Sequence, residues 1–312
     1  MRAYRVVPTQ AERLVLTATP EPVPLPNQAL IAVKAVSLNR GEVRMALTGN
    51  RSWYPGWDLA GVVERAAADG SGPAEGARVV GLVKNGAWAE KVAVATDLLA
   101  TLPENVSFAQ AATLPVAGLT ALHALGKRGS LLARKVLVTG ASGGVGEFAL
   151  QLARLSGADV TAHLRRPEHI AFVQKAGADH IALGESVGEA AKPFGPFDLI
   201  VESVGAQTLG EAMTLLAERG ICVSIGVSAG AQTTFDSNAY YSIGGNSLYG
   251  MFLFDELKWV ETGSLGLTRL AQLVAEGKLV PQISVEAPFA ELPAVAQQLQ
   301  ERAFPGKAVV LL

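Results

Sequence analysis

Apolar and polar positions change rhythm once along this chain, near residue 118. Before that point, short runs rich in Val and Ala, bounded by Gly, Pro and polar turn residues, predict strands at 29–36, 61–65, 77–82 and 89–94. The stretch Pro20-Glu21-Pro22-Val23-Pro24-Leu25-Pro26 reads as an extended connector, because proline fixes φ and removes the amide donor. Residues 66–75 read as a flexible turn. After residue 118, strands at 135–139, 159–164, 180–183, 197–202, 221–226 and 247–249 alternate with helical patterns at 145–156, 167–176 and 207–217. Such alternation predicts a parallel, doubly wound sheet. A helix at 265–277 and a strand–helix–strand tail at 283–285, 292–303 and 307–312 complete the chain.

Composition narrows the class. A chain of 312 residues favours two domains, and 49% apolar against 17% charged residues supplies a large core. The net charge of −2 and the scattered Lys and Arg residues mark no nucleic-acid surface. The single cysteine, Cys222, excludes an internal disulfide framework and any zinc site built on several thiolates. The opening residues Met1-Arg2-Ala3-Tyr4-Arg5 lack the apolar run of a signal peptide, and no apolar stretch approaches the roughly 20 residues of a membrane span. A cytoplasmic protein without a membrane partner is the expectation.

Chemistry enters at Lys135-Val136-Leu137-Val138-Thr139-Gly140-Ala141-Ser142-Gly143-Gly144-Val145-Gly146. An apolar strand ends, a turn of small residues follows, and a helix begins near Val145, its buried face carrying Val145, Phe148, Ala149, Leu152 and Leu155. Aligned on the dinucleotide fingerprint, the three glycine positions are held by Ala141, Gly143 and Gly146. Small residues let the backbone approach a pyrophosphate, whose charge rests against the helix N-terminus. Ala141, Ser142, Gly143, Gly144 and Val145 are therefore candidate cofactor contacts, with an ordinary glycine turn as the alternative. About 20 residues on, a carboxylate would hold the ribose 2′-hydroxyl of NAD. This chain instead has Leu164 followed by Arg165 and Arg166, which suit the 2′-phosphate of NADPH. Two solvated surface arginines would read the same way.

Several spaced motifs carry a family resemblance. Val36-Ser37-Leu38-Asn39-Arg40-Gly41-Glu42, Tyr54-Pro55-Gly56-Trp57-Asp58-Leu59-Ala60-Gly61-Val62-Val63, Leu114-Pro115-Val116-Ala117-Gly118-Leu119-Thr120-Ala121-Leu122, Val204-Gly205 and Phe304-Pro305-Gly306-Lys307-Ala308-Val309 stand in order along the chain. The whole chain resembles the zinc-independent quinone oxidoreductase branch of the medium-chain dehydrogenase/reductase superfamily. The resemblance implies an α/β fold, a GroES-like β domain plus a Rossmann domain with a doubly wound parallel sheet. It places the GroES-like substrate domain at 1–117 and 264–312 and the NADPH-binding domain at 118–263. It also implies an active site in the interdomain cleft and a homodimer paired through Rossmann edge strands. Zinc-dependent relatives carry a Cys in the segment matching 37–42 and a Gly-His-Glu motif matching 56–58. Asn39 and Trp57 stand there instead, and no two of the four histidines have ligand spacing, so no metal is expected.

On this reading Asn39 and Tyr54 are the candidate catalytic residues. The Asn39 amide would face the nicotinamide or the substrate carbonyl, and Tyr54 would donate a hydrogen bond or proton to the developing oxyanion. The bland alternatives are a turn-forming Asn and a pocket wall. Thr120, Val204, Gly205, Ile225, Gly226, Met251, Phe252 and Lys307 join the cofactor set through the resemblance and through their places after predicted strands, against ordinary structural roles for each. Asp58 and Glu42 read as structural. The expected activity is NADPH-dependent reduction of a small quinone or enone. The alternatives are an NADPH-binding structural protein with little turnover and an enoyl-thioester reductase, the latter opposed by the short segment, read as a loop, between Asn39 and Pro55.

Overall fold

In the computed structural model, which describes residues 1–312, the first hundred residues form seven strands. β1 (Arg2–Val6) and β2 (Leu14–Ala18) pair as an antiparallel hairpin. β3 (Gln28–Leu38), β4 (Asp58–Arg65), β5 (Arg78–Leu82), β6 (Lys91–Ala95) and β7 (Leu99–Thr101) follow, with α1 (Arg40–Thr48) between β3 and β4. Then come α2 (Phe108–Ala112) and a π-helical turn over Leu114–Gly118.

The alternating half of the chain opens with α3 (Leu119–Gly126). It continues through β8 (Lys135–Val138), α4 (Gly144–Leu155), β9 (Asp159–Leu164), α5 (Ile170–Lys175), β10 (His180–Leu183), α6 (Val187–Ala190), β11 (Phe197–Glu202), α7 (Ala206–Met213), β12 (Leu216–Ser224), α8 (Ser237–Ile243), β13 (Ser247–Gly250) and α9 (Leu253–Trp259). The tail is α10 (Gly263–Ala275), β14 (Ile283–Pro288), α11 (Leu292–Gln300) and β15 (Lys307–Leu311).

These elements gather into two units, Met1–Leu119 with Val260–Leu312, and Thr120–Trp259. The first unit holds a seven-stranded sheet in the order β14-β15-β3-β4-β5-β7, with β6 also on β3; every pairing is antiparallel except β14 with β15. β3 is buried along most of its length rather than on alternate residues, because it is covered on both faces. Val36, Leu38, Leu59, Trp88, Leu292 and Val310 belong to one core. The register sets Ser37 opposite both Asp58 of β4 and Val309 of β15. The residue after β3, the first of β4 and the first of β15 thus meet at one end of the sheet.

The second unit holds six parallel strands in the order β10-β9-β8-β11-β12-β13, with Leu137, Phe197, Ile200, Met213 and Cys222 in one core. Chain order reverses between β8 and β11, the switch point where open α/β sheets bind ligands at the carboxyl ends of their strands.

Three details depart from the sequence expectations. The segment after Asn39 is helical for nine residues instead of a loop. In α4, Phe148, Ala149 and Leu152 are buried, whereas Leu155 in the last turn is 47% exposed. The helix expected over 207–217 stops at Met213 because β12 starts at Leu216, five residues ahead of the predicted strand.

Candidate functional site

In the second unit, parallel strands bring the turns that follow them to one edge. Ala141, Ser142, Gly143, Gly144 and Val145 follow β8, Arg165 and Arg166 follow β9, and Val204 and Gly205 follow β11. Ile225 and Gly226 follow β12, and Met251 and Phe252 follow β13. Thr120, the second residue of α3, is buried.

The turn after β8 is shaped for close backbone approach. Gly140 adopts φ +57°, and a side chain there would collide with Ser203 Oγ. A Cβ on Gly146 would fall 2.5 Å from Gly140 O and 2.6 Å from Ala141 O, so only glycine lets α4 begin so near the strand. α4 starts at Gly144 with Gly143 as its cap, and no side chain takes its first amides. This is the arrangement that receives an anion.

Sequence reasoning missed the group that organises the neighbouring turn. Glu202, fully buried at the end of β11, accepts from Val204 N at 2.7 Å, Gly205 N at 3.1 Å and Thr139 Oγ1 at 3.1 Å. Thr139 Oγ1 in turn accepts from Ser203 N at 3.1 Å, and Ser203 Oγ donates to Thr139 O at 3.2 Å. The ends of β8 and β11 are thereby stitched together across the switch point. Burial raises the Glu202 carboxyl above its ordinary range, while the amide and hydroxyl bonds oppose that shift. Gly205 holds φ +76° against Gly230 O, a place no Cβ fits. The only sequence signal was an acidic residue directly before Ser203-Val204-Gly205.

β9 ends at buried Leu164, and Arg165 and Arg166 rather than a carboxylate come directly after it. The Arg165 side chain is 46% exposed, its Nη1 3.8 Å from Glu185 Oε2, a loose contact with a partner that is itself 84% exposed. Arg166 is exposed beside it. Three residues on, His169 shares a 3.0 Å hydrogen bond through Nδ1 with Ser142 Oγ of the glycine-rich turn.

In the first unit, the sheet register assembles a buried polar cluster. Asn39 Nδ2 donates to Asp58 Oδ2 at 2.7 Å and to Glu42 Oε1 at 3.1 Å. Lys307 Nζ donates to Asn39 Oδ1 at 2.7 Å and to Leu38 O at 3.1 Å, and lies 3.9 Å from Asp58 Oδ2. Asp58 Oδ1 also accepts from Val116 N at 3.0 Å. Glu42 Oε1 accepts from Asn39 N at 2.8 Å, anchoring the first turn of α1. Two sequence expectations change here. Both Asn39 amide hydrogens are already engaged, so Asn39 cannot donate to a substrate without breaking these bonds. Lys307, expected to meet the cofactor, is 2% exposed with its ammonium bonded to Asn39 inside this cluster, so it would have to leave these bonds to do so.

Burial raises the Asp58 carboxyl to about 6 despite the opposing Lys307 charge. Burial and the Asp58 charge together push Glu42 well above the usual range. One lysine thus faces two buried carboxyl groups, and burial with the Asp58 charge favours the protonated form of Glu42. Tyr54 stands elsewhere in this unit, 37% exposed, with the Arg5 guanidinium carbon 5.9 Å from its ring centre.

Comparison with known proteins defines the class. Residues 25–104 match the alcohol dehydrogenase GroES-like domain, and residues 144–265 match the zinc-binding dehydrogenase family. The chain is 30% identical to the mitochondrial NAD(P)H oxidoreductase RTN4IP1 of Mus musculus, covering 91% of this chain and 82% of that protein. It is 33% identical to a 2-methylene-furan-3-one reductase of Solanum lycopersicum, over 66% of this chain and 56% of the relative. The quinone oxidoreductase of Thermus thermophilus, solved also in complex with NADPH, superposes with a TM-score of 0.82 at 31% identity over 100% of both chains. The chain belongs to the medium-chain dehydrogenase/reductase superfamily, in its quinone oxidoreductase branch.

The name of the second family model raises zinc, and the residues do not fit it. No group of three or more His, Cys, Asp or Glu side chains is placed to hold a metal ion. Cys222 is buried in β12, its thiol pushed up by burial. Asp58 and Glu42 turn onto Asn39. No helix is long and apolar enough to cross a membrane.

Proposed function

We propose that this protein binds NADPH at the carboxyl edge of the second unit's sheet and reduces a small conjugated carbonyl compound, a quinone or an enone, without a metal ion. The observation that carries the reading is the end of β9. It offers Arg165 and Arg166 where a carboxylate would select NAD, one strand from a glycine-built turn that receives a pyrophosphate. The names of the Thermus and tomato relatives support NADPH, a quinone and an enone as the chemical classes.

NADPH bound there supplies a hydride. The chain's own part is to place it and to meet charge on the acceptor. Arg165 and Arg166 take the 2′-phosphate, and the turn of Gly140, Gly143 and Gly146 admits the pyrophosphate. Glu202 holds Val204 and Gly205 in the turn opposite. Hydride added to an isolated carbonyl leaves a localised alkoxide, which zinc relatives meet with a Lewis acid. Hydride added to a quinone or an enone β-carbon leaves a delocalised phenolate or enolate, which a few hydrogen-bond donors can stabilise. Tyr54, exposed at 37%, is the donor we assign. Asn39 acts as a positioning residue at the end of β3.

The test is NADPH oxidation with a panel of quinones, enones, enoyl thioesters and simple ketones. Turnover of quinones or enones with no turnover of simple ketones supports the proposal. NADPH binding without turnover of any acceptor would instead favour a structural, cofactor-holding role.

We also infer a homodimer. β13 is an edge strand exposed along its whole length, with Leu248 44% and Tyr249 38% exposed, and Tyr241 in the preceding helix is 70% exposed. An apolar edge of this kind is a template for a second copy. A monomer by light scattering at micromolar concentration would contradict this.

A further inference from the structure

His169 was not among the residues expected from sequence to meet the cofactor, yet its side chain joins the two anion-receiving segments. It sits three residues after Arg166, in the 3₁₀ turn Pro167–His169, and its Nδ1 lies 3.0 Å from Ser142 Oγ in the glycine-rich turn. The ring is half-buried, and no carboxylate is bonded to it. We propose that His169 is a specificity-determining residue for NADPH over NADH, taking up a proton from solvent as the 2′-phosphate binds and releasing it when the cofactor leaves. The inference rests on the NADPH reading above and deepens it.

The chemistry follows from the hydrogen-bond inventory of the ring. A neutral imidazole bonded to Ser142 has one donor in total. A protonated imidazolium has two; the neutral ring can also keep Ser142 by accepting its hydroxyl at Nδ1, but only the imidazolium brings a positive charge to its bond with a phosphate oxygen. Burial lowers the affinity of the free ring for its proton, Glu168 opposes that and Arg166 adds to it, so the ring is neutral at pH 7 before binding. The 2′-phosphate brings close to two negative charges at that pH, its second ionisation lying near 6. That charge favours the imidazolium, and binding becomes coupled to the uptake of up to one proton. The other charged groups of the surrounding segments are Arg165 with its partner Glu185, buried Glu147 in α4 and Lys175 at the end of α5. None of them is a direct influence on the ring, whose charged neighbours are Glu168 and Arg166.

Isothermal titration of the full-length protein with NADPH and with NADH tests this, at pH 6.5, 7.5 and 8.5 and in two buffers of different ionisation enthalpy. The expected result is proton uptake on binding NADPH and none on binding NADH. NADPH affinity should fall by roughly tenfold from the lowest to the highest pH, the worth of one charge-assisted hydrogen bond, while NADH affinity stays flat. His169→Gln should abolish the proton uptake and leave NADH binding unchanged, which also shows that the turn is intact. His169→Lys should bind NADPH tightly at every pH with no proton uptake. Unchanged proton uptake in His169→Gln overturns the inference, as does an equal loss of NADPH and NADH affinity, which would mark a purely structural bond to Ser142. Failure of the unmodified protein to prefer NADPH at any pH would overturn the cofactor reading itself.

Discussion

Arg165 and Arg166, the contacts proposed for the 2′-phosphate, draw attention in the sequence because they stand at a fixed offset from a recognisable turn. Removing one charge-assisted contact to the 2′-phosphate costs about tenfold or more in affinity. Arg165→Ala should therefore weaken NADPH by that factor and leave NADH nearly unaffected, as measured by fluorescence titration. Asn39 was legible as a position but not as an environment. Its partner Lys307 is 268 residues away, and only the register of β15 on β3 brings them together. A direct consequence concerns Glu42, whose carboxyl burial holds well above its ordinary range. A carboxyl raised on folding contributes stability below its unfolded pKa, and that contribution is lost as pH rises through the folded value. Glu42→Gln, which mimics the protonated form, should be at least as stable as the unmodified protein at pH 8, with the advantage vanishing towards pH 5. A strong loss of thermal stability at pH 8 would show instead an ionised Glu42 held by its partners.

Two strands of the second unit, β9 (Asp159–Leu164) and β11 (Phe197–Glu202), followed from periodicity to the residue, because buried parallel strands are near-continuous apolar runs cut by glycine-rich turns. The first unit was harder. β1 carries arginines at positions 2 and 5, and β2 is only five residues long, so neither presents a strong pattern alone. α1 begins Arg-Gly-Glu, with a glycine in its first turn and a buried acid at its third position, and so lacks an ordinary amphipathic signature. The glycine turns themselves make a prediction. Gly146→Ala places a methyl group against Gly140 O and Ala141 O, so the start of α4 must move. The expected outcome is a loss of affinity for both cofactors by ten- to a hundredfold, with Tm lowered by several degrees. Retained affinity would mean that this turn does not receive the pyrophosphate. Glu202→Ala should act similarly but through stability, because it strands the Val204 and Gly205 amides and the Thr139 hydroxyl at roughly 1–3 kcal/mol per buried group.

For the molecule as a whole, the family and its two kinds of sheet were readable from ordered motifs, whereas which residues are free to act was not. The buried cluster around Asn39 engages donors that the sequence reading offered to the nicotinamide, the substrate carbonyl or the cofactor. On the proposed function, the acceptor itself delocalises the charge delivered by hydride, with no metal ion to meet it. Activity should accordingly be insensitive to prolonged dialysis against a chelator, checked by elemental analysis alongside the rate. Tyr54→Phe should lower the rate by about ten- to a hundredfold if its hydroxyl supplies the proton. The most direct single measurement is the steady-state rate of NADPH oxidation by chelator-treated protein, with a small quinone or enone against an unconjugated ketone of similar size. The account predicts steady turnover of the conjugated acceptor and none of the simple ketone. Turnover confined to the simple ketone, or restored only by added zinc, would contradict it.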